Sequence, residues 1–367
     1  KRIEFRGRGG GGLSSHATAV GKLFYGAGSG VARGVQAIEV WPAQGFLFES
    51  EAGLRGGSVS EPAQQRVDVT NNSWVFNPKE PGRDLDLLRR FDYMIERDNV
   101  LAAVCTRAGD DPIMDALLAS SYNGIVAGTS NGRNPVKRTE IDGAGRNKPE
   151  IVVPMKEPSA AGPVVASAAA MLVAVQHANP AFEAASHAPV LKAILLAGAT
   201  KSEFPQWRQL PREPLDRRFG AGELNVFNSY RILAAGAQQP GKGQLVATSG
   251  WDWNRPRKGS ALYYFDVPDE RAGMAYSAFL CWNRTVVDGL PGPAEWGEPK
   301  SLLVQMSLRL FRARGFSVGE LVAESASKVD NLQHVSAQLD AGRYALEVAS
   351  ELNTVEYALA WQLRESP

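Results

Sequence analysis

The sequence predicts an α/β domain, a parallel sheet with helices on its faces, followed by an antiparallel β-sandwich. Three observations predict it. Short apolar runs alternate with helical patterns through residue 235, a Gly/Pro-rich break follows at 236–243, and beyond that break apolar residues recur at every second position.

Runs at 34–40, 66–69, 100–105 and 124–127 are short, apolar and bounded by Gly, Asn or Pro, so they read as buried strands. Between them, residues 84–97 carry Leu85, Leu87, Leu88, Phe91, Met94 and Ile95 at spacings of three and four, one face of a helix. Residues 162–177 and 188–196 are apolar nearly all round and read as buried helices. After the break at Gln238-Gln239-Pro240-Gly241, the alternation of Leu302, Val304, Met306, Leu308 and Leu310 is that of a strand with one buried face. Tyr344, Leu346 and Val348 repeat it, as does the run 357–363. The expected domains are therefore 1–238 and 244–367.

Forty basic residues against 39 acidic ones leave a net charge of +1, with no concentrated basic face to hold phosphates, so nucleic acid is not an expected partner. Cys105 and Cys281 lie in different predicted domains, which supports neither a disulfide framework nor a cysteine metal site. The acidic doublet Asp110-Asp111 falls short of the six or more oxygens that calcium takes, and no metal is expected. No run reads as a membrane span. The chain opens at Lys1 without an initiator Met, and a processed or trimmed form is expected.

Acyl transfer needs a hydroxyl, a base within reach, and donors aimed at the developing oxyanion. Ser14-Ser15-His16-Ala17-Thr18 places a histidine at the start of a helix that a serine can cap. Ser159-Ala160-Ala161-Gly162-Pro163 places a serine at the start of a long apolar helix, beside free N–H groups and the positive end of its dipole. His177, His187 and His334 read instead as loop or structural residues, and Trp282 and Trp361 as sandwich core.

These segments resemble the subtilase family. His16, Thr18 and Val20 match its histidine block, and Ser159, Ala161, Pro163, Val165 and Ala166 its serine block. Between and after them Gly30-Val31-Ala32, Asn71-Asn72-Ser73-Trp74, Ala108-Gly109-Asp110, 148–154 and Phe219-Gly220-Ala221-Gly222 match further blocks in the family's order, over about 235 residues. The resemblance implies a three-layer subtilisin-like domain and a serine endopeptidase that needs no cofactor. It assigns His16 as general base, Ser159 as nucleophile, Asp110 to the second oxyanion place, and Ser73, Trp74 and Gly109 to a polypeptide substrate. Asp330-Asn331-Leu332, Ala341-Gly342-Arg343-Tyr344 and 357–361 are similar to the C-terminal sandwich domains of bacterial secreted peptidases, which implies a secreted or cell-surface protein.

The chain departs from the family in four places. The triad aspartate has no counterpart, since Glu4 is the sole acid before His16, and it is expected upstream of Lys1. Asp110 stands where the family has an amide donor, and an ionised carboxylate accepts but cannot donate. Val75 and Phe76 occupy glycine positions of the substrate strand, and only Met155 to Pro158 separate Pro154 from Ser159, a shorter loop than the family has. These departures favour the alternative, a catalytically impaired pseudoprotease acting as a binding or scaffolding module.

Overall fold

A computed structural model describes residues 4–7, 14–49, 53–76, 81–107, 117–134, 139–210, 212–256, 260–287 and 300–365. The chain divides into two compact units. Unit 1 comprises Lys1–Pro149, Val153–Ala174 and Arg284–Leu302; unit 2 comprises Glu150–Val152, Val175–Asn283 and Leu303–Pro367.

In chain order the first elements are β1 (Glu4–Gly7), α1 (Ser15–Tyr25), β2 (Ala37–Val40), α2 (Ala43–Phe48), β3 (Val69–Asn72), α3 (Pro81–Asp98), β4 (Leu101–Cys105), β5 (Ile125–Thr129), β6 (Ile151–Val153) and α4 (Pro158–Ala178). Strands β3, β4, β5 and β6 form one sheet in that order, with β3 paired parallel to β4 and β4 to β5. Every residue of β4, β5 and β6 is buried, as apolar runs without alternation predict for a sheet covered on both faces. The helical stripe also falls where its period places it: Leu87, Leu88, Phe91, Met94 and Ile95 of α3 are fully buried against Leu54, Ala102, Val104 and Val126. One strand lies later than its apolar pattern suggests, because β3 covers 69–72 rather than 66–69. Asn72 is polar but buried, and its side-chain amide reaches the Ala103 carbonyl at 3.5 Å across the β3–β4 pair.

Helix α4 is, among the described residues, the one helix long and apolar enough to cross a membrane. In this fold its Ala161, Val165, Ala166, Ala168, Ala169 and Leu172 are buried in protein. The sequence reading of 162–177 as a buried helix thus holds, although the helix is longer than that reading allowed.

Unit 1 takes in β10 (Thr285–Val287) and β11 (Lys300–Leu302), which lie far along the chain. A buried charge network anchors them. The Arg284 guanidinium donates to Asp92 at 2.6 Å and to Asp142, while Arg89 donates to the other Asp142 oxygen at 3.1 Å. The Tyr122 ring lies between Arg146, 3.6 Å from its centroid, and Arg284, at 4.2 Å. Asn123 completes the anchor by exchanging two hydrogen bonds with the Arg284 backbone, at 2.8 and 3.0 Å.

Unit 2 contains α5 (Ala188–Gly198), α6 (Val226–Ala234), β7 (Ser249–Asn254), β8 (Ser260–Val267), β9 (Met274–Cys281), β12 (Met306–Arg314), β13 (Ser317–Ser325), β14 (Leu332–Leu339), β15 (Gly342–Ser350) and β16 (Tyr357–Arg364). Two antiparallel sheets, β13-β12-β15-β8 and β14-β9-β16-β7, enclose one core. Register explains the alternation seen in sequence: Leu308, Val348, Leu310 and Leu346 pair on the inner face of one sheet, and Leu280, Leu359 and Trp361 fill the inner face of the other. Trp282 and Trp361 are core, as expected. His187 lies in a bend before α5, a loop residue as expected, but it is half-buried rather than solvent-facing, its ring stacked on Trp253 with centroids 4.3 Å apart.

The Arg284 anchor has a measurable signature. Burial alone would raise the Asp142 carboxyl, but bonds and charge from Arg89 and Arg284 outweigh it and hold the group below its ordinary value. Its stabilising contribution is full above the unfolded value near 4 and fades as pH falls through the lower folded value. Arg284→Met, which leaves the buried Asp92 without its cation and Asp142 with Arg89 alone, is expected to cost about 3–5 kcal/mol in denaturant unfolding. Asp142→Asn is expected to flatten the loss of stability below about pH 4; parallel acid limbs for wild type and Asp142→Asn would contradict this assignment.

Candidate functional site

Ser14 caps α1: its hydroxyl accepts from the Ala17 N–H at 3.1 Å, and the Thr18 hydroxyl donates to its carbonyl at 3.0 Å. The cap holds His16 in the first turn, exposed on α1 itself, with its ring Nε2 2.8 Å from the Ser73 carbonyl. A carbonyl only accepts, so Nε2 carries the proton in this arrangement. At the other end of α1, Val31 and Ala32 donate their N–H groups to the Leu23 and Phe24 carbonyls and so satisfy the helix terminus.

Ser159 lies in the first turn of α4, half-buried. Its N–H belongs to the orphan donors of a helix start, free of an intrahelical acceptor. Pro163 has no N–H, so the Ser159 carbonyl also lacks its usual partner four residues on.

Two contacts bring these helices together at the end of β3. The Ser167 hydroxyl lies 3.0 Å from the Phe24 carbonyl, which ties the middle of α4 to the last turn of α1, and 2.6 Å from the Pro163 carbonyl. Toward the other end, a Cβ on Gly162 would lie 2.8 Å from Asn71 Oδ1 and 2.9 Å from Ser73 Oγ, so only glycine lets α4 approach this closely. Ser73 Oγ donates to Asn71 Oδ1 at 3.1 Å. Along each helix, His16 to Phe24 and Ser159 to Ser167 are the same eight residues, a rise of about 12 Å. His16, Ser73, Asn71 and the turn carrying Ser159 thereby converge at the carboxyl end of an edge strand, where open α/β sheets bind ligands.

The neighbouring strand ends line the same side. Thr129 Oγ1, at the end of β5, donates to Asn131 Oδ1 at 2.7 Å, and Asn131 Nδ2 reaches the Lys156 carbonyl at 3.4 Å, three residues before Ser159. Cys105, at the end of β4, has its thiol pushed up to about 12 by burial, so it stays protonated and is no rival nucleophile. Among the described residues no three His, Cys, Asp or Glu side chains gather as a metal set would.

The expected substrate residues divide. Ser73 is buried beside His16, whereas the Trp74 ring meets Phe46 edge-on at 6.4 Å and packs against the unit 1 core. Phe76 turns to Phe48, at 5.7 Å, and leaves Val75 exposed on the strand extension. Gly109 and Asp110 lie outside the described residues. Asn71, Gly162 and Ser167 were not singled out from the sequence for these contacts. The available signal was Gly162 itself, since glycine inside a helix costs about 1 kcal/mol relative to alanine and calls for a packing reason.

No family profile and no curated protein match the chain. Among solved structures it is similar to the patellamide maturation protease PatA, at 16% identity and TM-score 0.43 over 64% of this chain and 90% of that one. It is similar to tripeptidyl peptidase 2 at 13% identity and TM-score 0.39, over 96% of this chain but 40% of that one. The pre-peptidase C-terminal domain of collagenase from Bacillus anthracis matches at 12% identity and TM-score 0.24, over 34% of this chain and 99% of that one. Likeness at this level leaves the ordered blocks of residues as the ground for the family resemblance.

The close approach at Gly162 yields a test of direction. Gly162→Ala gains helix propensity of about 0.5–1 kcal/mol, but overpacking against the bonded Asn71–Ser73 pair costs about 1–3 kcal/mol. The variant is expected to unfold at lower denaturant concentration than wild type with an unchanged slope; a stabilised variant would remove the constraint assigned to this glycine.

Proposed function

We propose that this chain is a subtilisin-like serine endopeptidase, with residues 1–238 as the peptidase domain and 244–367 as the appended sandwich, acting outside the cell on polypeptides. The observation that carries the reading is the meeting of the histidine block and the serine block at Ser73, through the His16 Nε2 contact and the Gly162 approach.

A peptide would add along Ser73 and Trp74 at the end of β3, so that main-chain hydrogen bonds supply affinity, with Gly109 as a further substrate residue. For attack, the His16 ring leaves the Ser73 carbonyl and presents an unprotonated nitrogen to the Ser159 hydroxyl. That nitrogen takes the proton as Ser159 Oγ bonds to the scissile carbonyl carbon, and later returns it to the leaving amine. The Ser159 N–H, an orphan donor of the α4 terminus, stabilises the oxyanion, and Asp110 occupies the second donor place. An aspartate on the far ring nitrogen would fix the productive tautomer; in subtilisin its loss alone costs about 3 × 10⁴-fold in kcat.

One observation favours the second reading, a pseudoprotease acting as a binding module. The bond to Ser73 holds His16 Nε2 as a donor, the tautomer opposite to that of a general base at this nitrogen.

Peptide hydrolysis by wild type, Ser159→Ala and Asp110→Asn across pH separates the two. A protonated Asp110 donates and an ionised one repels, so kcat/KM is expected to be greater in mildly acidic than in alkaline solution. Asp110→Asn is expected to raise kcat by about 10²–10³ and flatten the alkaline loss. Wild-type turnover no greater than that of Ser159→Ala at every pH would leave the binding module in its place.

A further inference from the structure

We propose that unit 2 carries a binding site for a small divalent oxyanion of the phosphate or sulfate type, formed by Arg364 and Lys201 beside Trp207.

Strand register builds one wall. On sheet β14-β9-β16-β7 the inner face is the core, so the alternate residues face outward: His334 pairs with Phe279, Gln362 with Ser277, and Arg364 with Ala275. Helix α5 covers this outer face, and Gln362 Nε2 donates to the Ala197 carbonyl at 3.0 Å in its last turn. Arg364 therefore stands just past the C-terminal end of α5. The segment leaving α5 supplies the other wall, with Lys201 Nζ 4.9 Å over the Trp207 ring and that ring edge-on to His334 at 5.7 Å. The Trp207 indole N–H is fixed on the Gly220 carbonyl at 2.9 Å.

Charge is unbalanced in this corner. The Arg364 Nε and Nη1 atoms are buried and make no hydrogen bond among the described residues. A guanidinium stays charged, and buried donors without acceptors are unfavourable to the fold. Burial and the charge of Arg364 push Lys201 down to about 7, and among the described residues no acid counters them. His334 is no counterweight. Its Nδ1 donates to the Pro214 carbonyl at 3.1 Å, its Nε2 lies 3.3 Å from the Ser277 hydroxyl, and burial with the two cations holds it well below its ordinary value, hence neutral. The carbonyl end of α5 offers about half a negative charge, too little for two cations.

An oxyanion answers each deficit. Its oxygens would accept from Nε and an Nη of Arg364 in the paired geometry a guanidinium favours, and from Lys201 Nζ, whose proton the anion would stabilise. Two cations match a dianion better than a monovalent one. Lys201, Trp207 and Arg364 all keep part of their surface at solvent, which gives a small ion entry.

The test is calorimetric titration of the full chain with inorganic phosphate at constant ionic strength, repeated with sulfate, acetate and chloride. Saturable binding of one phosphate, displaced by sulfate and not by acetate or chloride, is expected. Lys201→Met and Arg364→Gln are each expected to weaken it about tenfold or more, as loss of a charge-assisted hydrogen bond implies. Should Arg364→Gln fail to fold, Lys201→Met carries the comparison, because removing a cation from an unbalanced cluster leaves the apo fold intact. No saturable phosphate binding, equal binding by Lys201→Met, or an equal response to chloride would overturn the site.

Discussion

Gly162 lets the first turn of α4 come within 3 Å, by its missing Cβ, of Asn71 Oδ1 and Ser73 Oγ, and that approach sets where everything else in the candidate site stands. With α4 seated there, Ser159 lies one turn back at the carboxyl end of the sheet. Ser167, further along, reaches the Phe24 carbonyl and orients α1. The Ser14 cap and the Ser73 carbonyl then hold His16 at the same end. Each contact is modest, about 1 kcal/mol for a typical net hydrogen bond. Their effect is positional: two helices cross one strand end at fixed offsets.

The two units handle buried charge differently. In unit 1 Arg284 faces two carboxylates, and Asp142 has Arg89 as well, so the network is satisfied except for Arg284 Nε. Its consequence is architectural, because a segment from the late part of the chain becomes part of unit 1. In unit 2 the Glu150–Lys192 pair, 3.0 Å apart and buried, is matched. Arg364 and Lys201 are not. Cations that are partly buried and unmatched among the described residues are unfavourable to a fold, a cost that a bound anion would relieve.

Much of the fold was legible because it rests on local periodicity. The stripe of Leu87, Leu88, Phe91, Met94 and Ile95, the unbroken apolar strands, and the alternation through Leu308 and Leu310 each follow from which face meets a core. Strand β3 lies three residues beyond the apolar run, since the polar Asn71 and Asn72 fall outside that run and the neighbouring β4 backbone gives Asn72 an acceptor. The Trp74 ring meets Phe46 edge-on, a contact made by tertiary packing that no spacing reveals. The Arg284 anchor joins residues 192 apart in sequence, and His187 stacks on a tryptophan from a distant strand, so neither leaves a periodic trace. At the site the reactive types His16 and Ser159 were visible as motifs. The scaffold of Asn71, Gly162 and Ser167 was not, because each acts through a single contact.

The central claim is that the histidine and serine blocks form one site, and the most direct measurement of it is the distance between them in a crystal structure of the full chain with a serine-directed transition-state analogue bound. The analogue is expected to be bonded to Ser159 Oγ, with the nearer His16 ring nitrogen turned from the Ser73 carbonyl to within about 3–4 Å of that oxygen. A separation beyond about 6 Å, with His16 still donating to Ser73, would contradict it.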